Sequence, residues 1–149
     1  MSRVKKQPIT PEDYKKILSG LEIVRIEVDE FAGKVLDRTN LYTKDTKRTV
    51  NLTEKARFAT ILSGEVVIWH AYNIVVTSNE DASADKLMTL SVEFHVQYAS
   101  EEPFTSEFFE QFRQLSLQIQ TAPFARAWIH DHCLRMGVPP LILPLVRTP

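Results

Sequence analysis

Polar and apolar residues alternate most cleanly over residues 87–99. Met88, Leu90, Val92, Phe94, Val96 and Tyr98 occupy one parity, and Thr89, Ser91, Glu93, His95 and Gln97 the other. A strand with one dry and one wet face belongs to an antiparallel sheet covered on one side only. Residues 66–76 predict a longer-buried strand, with Val66, Ile68, Tyr72, Ile74 and Val76 on one face and Val67, Trp69 and Val75 on the other. Residues 57–62 predict a short strand that turns at Ser63-Gly64. Residues 21–31 predict another, with Val24, Ile26 and Val28 on one face and Gly33 ending it. The polar, basic stretch 37–50 predicts a loop or weak edge segment, and 79–86 an acidic hairpin loop.

Period 3.6 takes over at the two ends. Thr10-Pro11-Glu12-Asp13 combines a capping hydroxyl, a proline at the first helical position and acids in the first turn, so residues 10–19 predict a short helix with Tyr14, Ile17 and Leu18 as its apolar stripe. Thr105 or Ser106 caps a second helix, whose stripe is Phe108, Phe112, Leu115 and Ile119. Pro123 is expected to break or kink it and to begin a third, with Phe124, Ala125, Trp128, Ile129, Cys133 and Met136 on one face and Gly137 as the left-handed stop. A short helix, four strands and two consecutive helices give an α+β fold, with a four-stranded antiparallel sheet covered on one face by helices. The 149 residues predict one domain, 1–149, with 1–9 as a flexible tail.

After Gly137 the chain reads Val-Pro-Pro-Leu-Ile-Leu-Pro-Leu-Val. Prolines hold such a backbone extended and remove its donors, so the large aliphatics between them cannot fold back on one another. Phe108, Phe109, Phe112, Trp128 and this segment supply more apolar surface than one small sheet hides. Surplus of that kind goes into subunit contacts or a binding groove.

Composition narrows the classes. Eighteen basic against nineteen acidic side chains leave a net charge of −1, so no strong field draws the chain to nucleic acid or an anionic membrane. One cysteine, Cys133, allows no internal disulfide and suits a reducing compartment. No apolar run follows the basic start, so no secretory signal is read and a cytoplasmic protein is expected. His130 and His132 point about 200° apart on a helix and cannot grip one ion. Four glycines leave no phosphate-cradling loop, and no Gly-x-Ser-x-Gly turn occurs. Glu93 and His95 share a wet strand face, as alternation alone requires. No metal, cofactor or catalytic residue is expected.

The C-terminal run carries a resemblance. Pro123, Phe124, Ala125, Arg126, Arg135, Gly137, Pro139, Pro140, Leu141, Leu143 and Val146 follow a pattern similar to that of the SecB family of export chaperones. The resemblance implies sheets that pair across a dimer, a dimer of dimers with helices between, and apolar grooves for unfolded chains. It also implies that acids on the exposed sheet face, here Glu30 and Glu93, dock the SecA motor. Ser91 and Lys34 stand where the family has a leucine and a second acid, and the chain ends where the family continues into a further helix, so a divergent member is expected.

The leading expectation is an ATP-independent holdase, not an enzyme. It would be a homotetramer that binds unfolded polypeptides through Phe108, Phe109, Phe112, Trp128, Leu141, Leu143 and Leu145. A second expectation is a dedicated chaperone that stabilises the antitoxin of a toxin–antitoxin pair. A third, from another class, is a small-ligand binding protein or enzyme using the Glu93/His95 face.

Overall fold

The computed structural model describes residues 7–42, 48–62, 64–78 and 85–141. The strands are β1 (Leu21–Val35), β2 (Thr49–Leu62), β3 (Glu65–Thr77) and β4 (Lys86–Ser100). They form one antiparallel sheet in the order β1-β4-β3-β2. The first two strands are thus the two edges.

Alternation sets the two faces. Met88, Leu90, Val92, Phe94, Val96 and Tyr98 of β4, with Val66, Ile68, Tyr72, Ile74 and Val76 of β3, are all buried on the inner face. Glu93, His95 and Gln97 look outward. The expected fold class therefore holds: helices α1 (Pro11–Ser19), α2 (Arg38–Tyr42), α3 (Ser106–Phe112) and α4 (Gln118–Met136) accompany an open antiparallel sheet.

Three expectations about strands need correction. β1 runs on through Gly33 to Val35. Gly33 marks a close approach: a side chain there would meet Leu90 Cδ2 at 2.9 Å and Met136 Sδ at 3.0 Å. Register shifts between Ile23 and Arg25 and between Val28 and Glu30 leave Val24 and Asp29 without partners. These bulges reset the alternation, so Ile26, Val28 and Phe31 turn inward while Val24 is exposed. β2 starts at Thr49 instead of 57. Its first half, Thr-Val-Asn-Leu-Thr-Glu-Lys-Ala, is polar because one face of an edge strand meets water, yet Val50 and Leu52 pack on the core. Within the expected loop 37–50, α2 forms, opened by Asp37, whose carboxylate accepts the Asn40 N–H at 3.1 Å, and anchored by buried Leu41.

The C-terminal helices also differ from expectation. Helix runs without interruption from Ser106 to Met136, through a π turn at Arg113–Leu117. Pro123 lies inside α4 and does not end it. A proline at this position leaves the Ile119 carbonyl without its helical donor, and Ile119 is itself exposed, where water can serve. The π turn changes the phase of the buried stripe, which reads Phe108, Phe112, Leu117, Thr121, Ala125, Ile129 and Cys133. Its steps are four residues except the one of five that spans the turn. Ile119, predicted inward at a constant 3.6 period, therefore faces out.

The helix ends follow the sequence. Thr105 caps α3 by accepting the Phe108 N–H at 3.1 Å. Gly137 closes α4 at φ 66°, and the Val138 N–H returns to the Cys133 carbonyl at 3.0 Å. Arg38 donates to the carbonyls of Met136 and Gly137, placing a cation at the negative end of the helix. Thr10 caps α1, and Tyr14 stacks on Phe108 with ring centres 5.0 Å apart.

Candidate peptide-binding surface

Of the seven residues expected to hold a client, three are core. Phe108 and Phe112 are fully buried and Phe109 nearly so. Their rings pack against Tyr14, Phe58, Tyr98 and Phe104, and filling the inner face leaves them no surface to share with a groove. Leu141 is half-buried against the same core. Leu143 and Leu145 lie outside the described residues, as does most of the expected hairpin loop 79–86.

Trp128 is the one that faces solvent, 37% exposed. It lies over β1, its ring 6.1 Å from that of Phe31 and stacked on His132 at 4.9 Å. Phe31 stacks on His132 at 3.7 Å, so the imidazole bridges strand and helix. The Trp128 carbonyl can only accept, so His132 Nδ1, 2.7 Å away, carries a hydrogen. Phe124 sits one turn before Trp128 on the same side of α4 and is 46% exposed. It was expected on the buried face; the phase set by Ala125, Ile129 and Cys133 leaves it outside. Leu36, Tyr42 and Leu134 are further exposed apolar side chains on or beside α2 and α4.

The outer sheet face is polar and connected. Glu30 and Glu93 stand directly opposite each other in the β1–β4 register. Arg57 Nη2 reaches Glu93 at 4.0 Å and lies over the Trp69 ring at 4.1 Å. The bulged Asp29 accepts from Trp69 Nε1 at 3.2 Å and from His95 Nδ1 at 3.1 Å. A surface hollow of about 140 Å³ lies beside these groups, lined by Glu30, Ala71, Asn73, Ser91 and Glu93. His95 and Glu93, considered as an acid/base pair, each have a different partner here.

Sequence reading passed over one cluster entirely. His70 is buried on the inner face between Glu54 of β2 and Thr121 of α4. Tyr72 OH meets the same Thr121 hydroxyl at 2.6 Å. Gln118 donates to the second oxygen of Glu54. Burial pushes the Glu54 carboxyl upward, but hydrogen bonds from His70 and Gln118 outweigh it and leave the group below its ordinary value. Burial raises the Tyr72 hydroxyl to about 12. The signal that could have found this cluster was the parity of residue 70, which places a histidine on the dry face of the strand.

Among the described residues, no three or more His, Cys, Asp or Glu side chains come together to hold a metal. Cys133 is buried, and that burial raises its thiol. No helix among them is long and apolar enough to cross a membrane.

No family model matches the chain, and no curated protein matches its sequence. Solved structures do. The Mycobacterium tuberculosis SecB-like chaperone Rv1957, in complex with a ChAD peptide from the HigA1 antitoxin Rv1956, aligns over 93% of this chain and 99% of that one, with a TM-score of 0.77 and 15% identity. The fold is SecB-like. A protein of unknown function from Streptococcus agalactiae aligns over 84% of this chain and 97% of that one at 12% identity, with a TM-score of 0.41. The SecB-like neighbour agrees with the sheet and helix arrangement derived above.

Proposed function

We propose that this protein is a SecB-like holdase that binds non-native polypeptide without ATP or covalent chemistry. The observation that carries the reading is apolar side chains left in water beside a core that is already complete. Phe124, Trp128 and Leu134 on α4, with Leu36 and Tyr42 beside or on α2, are exposed while the inner sheet face is fully occupied. Fully burying an exposed side chain of this kind contributes about 1.5–3 kcal/mol, and these, already about half covered, contribute a fraction of it each, so a few shallow contacts together hold a segment without reading its exact sequence. The SecB-like fold supports this use of the surface.

A narrower reading is a chaperone dedicated to one antitoxin. It is favoured by the neighbour, a SecB-like chaperone in complex with an antitoxin peptide. Assembly as a dimer of dimers in the cytoplasm belongs to the same proposal, as does SecA contact through Glu30 and Glu93, and light scattering on the purified chain tests the assembly.

The functional test is suppression of aggregation of a denatured reporter. Trp128→Asp together with Phe124→Asp is expected to lower suppression at least tenfold while the circular dichroism spectrum is kept. Glu93→Ala is expected to leave it unchanged. Full suppression by a folded Trp128/Phe124 double variant would remove this surface from the reading. Saturable binding of a small molecule on the Glu93/His95 face, with no holdase activity in the parent chain, would replace it with the ligand-binding alternative.

A further inference from the structure

The two edges of the sheet are unlike. On β1 the ladder is interrupted twice, at Val24 and at Asp29. On β2 the register with β3 runs unbroken from Thr49 opposite Thr77 to Thr60 opposite Val66, and the strand contains no proline. Among the described residues, no strand pairs with the free side of β2. In an antiparallel ladder, every second residue of an edge strand turns its N–H and C=O away from its neighbour. β2 therefore presents a long, regular row of main-chain donors and acceptors. Edges that stay unpaired are commonly kept so by bulges or proline, and this stretch has neither.

The side chains of β2 define the strand that would fit. On the inner parity, Val50, Leu52, Ala56 and Phe58 are half-buried against the core, and Glu54 among them is held by His70 and Gln118. Above them α4 adds an apolar overhang. Gln118 reaches Glu54, and the next residue, Ile119, is 50% exposed. Ile119 lies nine residues before Trp128, which at about 100° per residue turns it to the opposite side of α4, away from β1. On the outer parity stand Asn51, Thr53, Lys55, Arg57 and Ala59, with two cations and no acid. Arg57 is engaged with Glu93 and Trp69. Lys55 is exposed and makes no ion pair among the described residues.

A second copy of the chain is a poor occupant. The two-fold registers that keep most of the ladder oppose Glu54 to Glu54, Lys55 to Lys55, or Lys55 to Arg57, and like charges directly opposite are destabilising. We infer that the free edge of β2 receives an extended segment of another protein as an added strand, with apolar side chains turned inward beneath Ile119 and an acidic side chain turned outward beside Lys55. Main-chain hydrogen bonds supply the attraction, the apolar parity fixes which face turns inward, and Lys55 selects the sign of the charge. This edge is the opposite one from β1, over which Trp128 lies. It is thus a polypeptide-binding surface separate from Phe124 and Trp128, and it stands or falls apart from the holdase reading.

Two synthetic peptides are the probes, used on the full chain: threonine and valine in alternation with a central glutamate, and the same peptide with a central lysine. In nitrogen-15 NMR the glutamate peptide should move the amide signals of residues 49–60 and of Ile119, and it should slow hydrogen exchange at alternate β2 amides. It should bind about three- to tenfold more tightly than the lysine peptide, and Lys55→Glu should reverse that order. Trp128→Asp together with Phe124→Asp should leave both affinities unchanged. N-methylation of alternate peptide amides should abolish binding for one set and spare it for the other. No binding by either peptide overturns the proposal, as do shifts confined to the surroundings of Phe124 and Trp128, equal affinity for the two peptides, or indifference to both N-methylated sets. Alternate β2 amides already protected in a free chain that scatters light as a dimer overturn it as well, because a second copy then closes the edge.

Discussion

The inner and outer faces of the sheet are built by alternate residues of the same strands. On β4, Phe94 and Tyr98 are sealed under the helices while Glu93, His95 and Gln97 meet water. The inner face works by close packing: rings fill rings, and one polar cluster is tolerated because its partners are all present. The outer face works by long-range pairing, Arg57 over Trp69 and against Glu93, with Asp29 joining Trp69 to His95. The lesson is that burial decides what a contact is worth. A contact of the same kind is costly to lose on one side and nearly neutral on the other.

The largest test removes a ring from the packed side. Phe112 is fully buried against Tyr98, Phe104 and Phe108. Phe112→Ala should lower unfolding stability by about 3–5 kcal/mol, measured by denaturant titration, because the cavity it leaves lies in a layer that cannot collapse. A loss below about 1 kcal/mol would place Phe112 at a surface and restore it as a candidate for the groove.

An intermediate effect belongs to Glu54, where the packed side opens to water. Its folded-state pKa lies below the ordinary value, so folding favours the ionised form. That contribution is complete above the unfolded-state pKa and disappears as pH falls through the folded-state value, in the acid range. Glu54→Gln should lower stability near neutral pH by about 1–2 kcal/mol, discounted for partial exposure. It should also make the fall of melting temperature on acidification shallower than in the parent. An unchanged acid limb in the variant would mean the Glu54–His70 contact does not stabilise the fold.

Much of this contrast was legible in the sequence. Strict alternation over Met88–Tyr98 identified β4 and both its faces, and of the two cap candidates Thr105 and Ser106 the structure uses Thr105, while Gly137 ends α4 as expected. What was not legible depends on tertiary partners. The π turn has no local signature in Arg-Gln-Leu-Ser-Leu, yet it decides that Leu117 faces in and Ile119 out. The bulges at Val24 and Asp29 exist only relative to β4. The first half of β2 looks like loop because Thr, Asn and Lys line its wet face, and its inward Glu54 is acceptable only with His70 beside it. For the surface, Trp128 was read on one helix face with Ala125, Ile129 and Cys133, and the structure buries those three while leaving Trp128 partly exposed. The phenylalanines Phe108, Phe109 and Phe112 were assigned too generously, since apolarity alone does not separate core from groove.

The smallest expected effect lies on the outer face and is the sharpest check on the comparison. Arg57 is mostly exposed, as its side-chain accessibility of 64% records, and its two contacts, the Trp69 ring and Glu93, are both on the solvent side. Side-chain ordering and salt screening offset most of what such a pair gains. Arg57→Ala should therefore change stability by no more than about 0.5 kcal/mol, and Glu93→Ala by a similar amount, with a coupling energy in the double variant of no more than about 0.5 kcal/mol. Glu93→Ala has a compensating term, because it relieves the like charge of Glu30 directly opposite in the β1–β4 register. If Arg57→Ala instead cost 2 kcal/mol or more (the scale of breaking a buried contact), the outer face would have to be covered in solution, and the distinction between a packed and a solvated face would fail there.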